Sequence, residues 1–102
     1  MNNANVTLDF DIIELLKNKN LILEELGLYI VLFVISDKSI VFSNITDLAK
    51  LCNCGTDRIK VLITKLIDKK LLIERRINQR IYFFKVIRPD EDYNTVKMEF
   101  SR

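Results

Sequence analysis

The 102-residue chain reads as an α+β domain, mainly helical, with a small antiparallel β wing late in the sequence. Three observations predict this. Apolar residues recur at helical spacing over residues 23–35 and again between 45 and 69. Two runs rich in Ile, Leu, Tyr, Phe and Val follow at 71–73 and 80–87, as strands require. Between those runs lies Ile77-Asn78-Gln79, and Asn tolerates the positive φ of a tight hairpin. The length suits one domain over residues 1–102, and a hydrophobic content of 49% is enough for a core without disulfides.

The elements follow in chain order. Val6, Leu8, Phe10 and Ile12 alternate with polar residues, so residues 1–20 are expected to form a strand or turn extension; Ile13–Leu16 alternatively begin a helical turn. A core is expected over 21–88. Its first helix runs from Leu23 to Ile35, with Leu23, Leu26, Ile30, Phe33 and Val34 in one stripe. Leu28, Val31, Leu32 and Ile35 make the remaining faces apolar as well. Such a helix needs more cover than one small domain supplies, so a homodimer joined through residues 23–35 is expected. The terminal segments are a second candidate contact.

Ser39 to Phe42 is a short strand candidate. Asn44 is placed to N-cap a helix over Ile45–Cys52, with Asp47 three residues on. Asn53 suits the left-handed conformation of a turn. The next helix opens at Gly55 or Thr56 and runs to about Lys69, with Ile59, Leu62, Ile63, Leu66 and Ile67 apolar. The wing spans 71–87, and Arg88-Pro89 ends it. In the tail, 89–102, Val96, Met98 and Phe100 alternate, the pattern of one more strand, set against the N-terminal one.

Charge is divided unevenly. Residues 1–49 hold three basic and seven acidic residues, a net −4; residues 50–88 hold eleven and three, a net +8; the tail is −2. A basic middle between acidic ends is what a phosphate-binding surface needs. No His is present to act as a base, no Ser or Cys has a recognisable catalytic partner, and no Gly-rich phosphate loop occurs, so no enzymatic activity is expected. Cys52 and Cys54 supply two of the four ligands that zinc wants, so neither a metal nor another cofactor is expected. Asp90, Glu91 and Asp92 read as a solvated linker. The opening MNNANVTLDF has no basic and then apolar character, and no run approaches a membrane span; the expected compartment is the cytoplasm, without membrane association.

The stretch ITDLAKLCNCGTDRIKVLITKLIDKKLL, Ile45 to Leu72, resembles the helix-turn-helix of bacterial winged-helix proteins without insertion or deletion. Leu48-Ala49 stands at the family's Leu-Ala, Asn53 at its turn residue, and Ile59, Ile63 and Leu66 at its buried positions. The resemblance implies a winged helix-turn-helix that binds double-stranded DNA and inserts its second motif helix into the major groove. The exposed candidates there are Thr56, Arg58, Lys60, Val61 and Thr64, with Asp57 of the wrong charge for a phosphate. In the wing, Arg75, Arg76, Asn78, Gln79 and Arg80 suit base edges and narrow minor grooves, so the wing is expected to carry at least as much recognition as the helix. Lys50, Lys65 and Lys85 are the expected phosphate contacts.

The short length, the MNNANVTLDFDII opening and the Arg-Arg-Ile-Asn-Gln-Arg wing also resemble relaxosome accessory proteins of Gram-positive conjugative plasmids, of the TcpK type. That likeness implies a homodimer that binds repeated boxes at an origin of transfer, with other relaxosome proteins as partners. A small transcriptional regulator shares every physical feature of this reading. A winged helix used as a protein-interaction module is a third possibility, against which the +8 segment stands.

Overall fold

The computed structural model describes residues 10–78 and 81–100. The order is α1 (Phe10–Lys17), α2 (Leu23–Ile35), β1 (Ile40–Asn44), α3 (Ile45–Leu51), α4 (Thr56–Asp68), β2 (Leu72–Arg76), β3 (Ile81–Val86) and α5 (Tyr93–Phe100). The strands form one antiparallel sheet in the order β1-β3-β2. The architecture is α+β, and its layout is compatible with a winged helix.

Side chains alternate across a strand, so the register sorts them into two faces. Val41, Leu72, Tyr82, Phe84 and Val86 turn inward and join the main core with Leu28, Tyr29, Leu32, Leu48, Ile59, Leu62 and Leu66 of the helices. Ile73 faces outward, where Val96, Tyr93 and Phe100 of α5 cover it together with Ile87. The two layers are joined at Tyr29, fully buried in α2, whose hydroxyl donates to the Ile87 carbonyl at 2.8 Å.

The stops of α3 and α4 are built alike. After α3, Asn53 sits at φ 55°, Cys54 N–H donates to Ala49 O and Asn53 N–H to Lys50 O. After α4, Lys70 sits at φ 63°, Leu71 N–H donates to Leu66 O and Lys70 N–H to Ile67 O. Each is a Schellman closure with a left-handed residue just past the cap. Asn53 fills that role as its sequence suggests; Lys70 fills it with no sequence signal. At the start of α3, the Asn44 side chain accepts from Asp47 N–H at 2.8 Å, the N-cap expected from the sequence. Cys52 and Cys54 are half-buried against the main core, and burial raises the Cys52 thiol above its ordinary pKa.

Three expectations are corrected. The alternation that pointed to a strand through Phe10 and Ile12 gives way to α1, because Ile12 and Leu16, four apart, bury together on one helical face. The earlier part of that expected strand, Val6 and Leu8, lies outside the described residues. In the tail, Val96 is buried while Met98 is exposed, so the apparent alternation belongs to α5 rather than to a strand. In α2 the buried residues are Glu25, Leu28, Tyr29, Leu32 and Phe33, so of the stripe through Leu23, Leu26, Ile30, Phe33 and Val34 only Phe33 is buried, and Leu23 and Val34 are exposed. A helix apolar all round gives its pattern no way to choose a face, and the face used brings the Tyr29 hydroxyl to the buried acceptor that its burial requires.

The remaining apolar residues of α2 are only partly covered. Leu26 and Ile30 line a groove of about 380 Å³ with Ile13, Leu16, Lys17 and Leu21, and Leu23, Val34 and Ile35 are exposed. None of the described helices is long and apolar enough to cross a membrane.

Candidate nucleic-acid interface

On α4 the exposed residues are Thr56, Asp57, Lys60, Val61, Thr64, Lys65 and Asp68, and Arg58 is half-buried. At about 100° per residue, Asp57, Val61, Thr64 and Asp68 form the central ridge of that face. Thr56 and Lys60 lie on the shoulder toward α3, and Arg58 and Lys65 on the opposite shoulder. The crest therefore carries two carboxylates, an apolar valine and a threonine whose hydroxyl donates to Lys60 O at 3.0 Å. The cations flank the ridge rather than crown it.

The α3-side shoulder opens into a cleft of about 600 Å³, lined by Asn44, Ile45, Thr46, Asp47, Thr56, Lys60 and Tyr82. Tyr82 lies on the inner face of β3, stacked on Phe84 with ring centroids 5.6 Å apart. Its cross-strand partner is Arg76, whose guanidinium stands over the Tyr82 ring at 5.1 Å. An arginine on an aromatic face is held by the ring quadrupole and keeps its donors toward solvent. One tyrosine thus connects the Thr56–Lys60 shoulder of α4 with the loop end of the hairpin. Glu74, on the same face of β2, lies 3.9 Å from Arg76 and partly offsets its charge.

Arg75 is placed elsewhere. It is the cross-strand partner of Phe83, on the outer face, and its Nη1 donates to the Phe100 carbonyl at 3.4 Å. Lys85 is also outward, in a cleft lined by Ile40, Glu91, Val96, Glu99 and Phe100. The structure therefore divides the expected wing set: Arg76 joins α4, while Arg75 and Lys85 belong to the α5 side, where Glu91 and Glu99 line the same cleft as the lysine. Adjacent strand residues must point to opposite faces, so the Arg-Arg pair cannot act as one cationic patch. Asn78 is exposed at the hairpin tip, where its side-chain oxygen accepts from Ile81 N–H at 3.0 Å and shapes the turn. Gln79 and Arg80 lie outside the described residues. Lys50 is exposed on α3, and Lys65 on α4.

Arg58 is engaged within the chain. Its Nε donates to Glu24 Oε2 at 3.0 Å, and its Nη2 donates to Glu24 Oε1. This bidentate contact holds the Glu24 carboxyl below its ordinary pKa. Beside it, Glu25 is buried; Lys69 Nζ donates to its Oε1 at 2.5 Å and also to the Asn20 carbonyl at 2.9 Å. The Lys69 hydrogen bond lowers the Glu25 pKa against the opposing effect of burial. The first turn of α2 is thereby clamped to both ends of α4.

The sequence did not point to Tyr82 or Glu24. Tyr82 reads as an ordinary strand aromatic, and its role follows only from the register that sets it opposite Arg76. Glu24 is 34 residues from its partner, with no local pattern to announce the pair. The Asp90–Asp92 cluster turns out to organise a loop: Glu91 accepts from Arg88 N–H at 2.8 Å, and Asp92 accepts from the Thr95 hydroxyl at 2.5 Å at the entry to α5. Comparison of the chain with protein-family models, curated proteins and solved structures gave no significant match.

Proposed function

We propose that this chain is a winged helix-turn-helix protein that binds double-stranded DNA with sequence preference, works as a homodimer and has no catalytic role. The observation that carries this reading is the meeting of Thr56 and Lys60 of α4 with Arg76 of the hairpin around Tyr82. A duplex needs a protruding helix for the groove and cations beside it for the phosphates on either rim. Here α4 provides the helix, with Lys60 on one shoulder and Lys65 on the other, and Arg76 extends the first shoulder toward the wing. The order helix, strand, helix, turn, helix, hairpin, with β1 paired to β3, supports the same reading. The exposed Leu23, Val34 and Ile35 of α2, with the groove beside α1, are the surface on which a second copy would dock.

The resemblance to relaxosome accessory proteins supplies the process: binding to repeated boxes at a plasmid origin of transfer. Selection of bound duplexes from a random pool, with the winner titrated at two salt concentrations, tests the reading. A short enriched motif whose affinity falls steeply with salt is the expected result, because each neutralised phosphate releases counterions. Repetition of that motif at a transfer origin supports the conjugation role; its presence upstream of genes supports a transcriptional regulator. Weak binding with no enriched motif contradicts DNA recognition and leaves a protein-interaction module as the better account.

A further inference from the structure

We propose that Glu24 is a specificity-determining residue of the DNA surface, holding Arg58 as a reader of a guanine edge and withholding it from phosphates. The inference rests on the DNA-binding reading above and deepens it.

The argument begins with the shape of the guanidinium. It is a planar fork with two usable hydrogen-bonding edges, one formed by Nε and Nη2 and the other by Nη1 and Nη2. Glu24 occupies the first edge with both of its oxygens. The second edge matches the paired acceptors O6 and N7 that guanine presents in the major groove. A carboxylate that fixes the first edge fixes the direction of the second. It removes much of the rotamer freedom that an unsupported arginine loses on binding, which is the use of a preorganised contact.

The second consequence is electrostatic. Arg58 and Glu24 together carry no net charge, and their side chains are 41% and 56% exposed. As a unit they offer a phosphate no attraction, because the carboxylate repels what the guanidinium attracts. Binding that depends on phosphates is the part that does not discriminate among sequences. Glu24 therefore lowers affinity for every duplex and leaves Arg58 useful only where a base edge meets it, so selectivity comes from a repulsive element as well as an attractive one. Glu25, the neighbouring carboxylate, takes no part, since Lys69 and the Ile22 N–H engage it.

The test compares wild type, Glu24→Gln and Arg58→Ala on the duplex selected from the random pool, on single base-pair variants of it and on an unrelated duplex. Thermal unfolding of each variant is measured alongside. The expected result has two parts. Glu24→Gln loses roughly tenfold of the discrimination at one G·C pair, the pair at which Arg58→Ala also loses it. Glu24→Gln also binds the unrelated duplex more tightly than wild type, with a salt slope steeper by about 0.9, the value of one added phosphate contact. Unchanged discrimination and slope in Glu24→Gln overturn the proposal while leaving DNA recognition intact. A uniform loss on all duplexes with a lowered melting temperature also overturns it, because the pair is then only a clamp between α2 and α4. A wild-type chain that selects no sequence at all overturns both readings.

Discussion

Arg75 and Arg76 are neighbours in the chain, yet Arg76 lies over Tyr82 beside α4, whereas Arg75 reaches the Phe100 carbonyl at the end of α5. The same division runs through the whole sheet. Its inner face carries Val41, Tyr82, Phe84 and Val86 into the main core, and at the hairpin end it delivers one cation to the candidate DNA surface. Its outer face holds a smaller cluster under α5, leaves Phe42 exposed against Phe83, and sets Lys85 in a cleft that Glu91 and Glu99 also line. A basic stretch of sequence is therefore not a basic surface. The strand period assigns its members to different sides, and only those on the side of α4 can act with it.

The largest expected effect comes from the two phenylalanine positions. Phe84 is fully buried on the inner face, so Phe84→Ala should cost about 3–5 kcal/mol in a denaturant titration. Phe42 is 61% exposed on the outer face, so Phe42→Ala should cost less than about 1 kcal/mol. Equal losses would mean that the outer face is covered as completely as the inner one.

Next comes the clamp between the helices. Lys69→Ala leaves the buried Glu25 carboxylate without its cation, and the expected loss is about 3 kcal/mol at neutral pH. Glu25 also gives a pH signature. Its folded pKa lies below the ordinary value of 4.5, so its contribution is fully present above that value. The contribution fades as the pH falls below 4.5 through the lowered folded value. Wild type should therefore lose stability in this acidic window more steeply than Glu25→Gln, as followed by unfolding at a series of pH values. Parallel curves would show that the pair contributes nothing net.

The smallest effect tests the closure of α4. Lys70 holds φ 63°, a conformation that costs a residue with a Cβ and not glycine. Lys70→Gly should raise stability by about 0.5–1 kcal/mol, visible as a rise of a few degrees in melting temperature. A fall would show that the contact of Lys70 with the Tyr93 ring outweighs the strain relieved.

Much of the fold was legible before the structure. The helices at 23–35 and 56–68 and the hairpin strands stand within a residue or so of their expected places, because the four-residue apolar spacing of α4 and the aromatic and β-branched run of β3 are strong local signals. The strand readings of the two short terminal elements fail for one reason, and at the first of them the alternative, a helical turn at Ile13–Leu16, agrees with α1. Over a handful of residues, Phe10 with Ile12, or Val96 with Met98 and Phe100, satisfy a period of two by chance, and only packing partners reveal that the helical pairing is the one used. The candidate site was legible in kind and not in arrangement. The identity of Lys60 and Arg76 was readable from local sequence. Their convergence on Tyr82, the separation of Arg75, and the hold of Glu24 on Arg58 depend on register and on contacts between distant segments, which local patterns do not contain.

The central claim is that the inner side of the hairpin and the α3-side shoulder of α4 form one duplex-binding surface. The most direct measurement is the affinity of Arg76→Ala, Lys60→Ala and Arg75→Ala for the selected duplex, each titrated under the same salt conditions. The account predicts a loss of roughly tenfold or more for Arg76→Ala and for Lys60→Ala, and less than about threefold for Arg75→Ala. A loss for Arg75→Ala as large as that for Arg76→Ala, or retention of full affinity by Lys60→Ala, would contradict it.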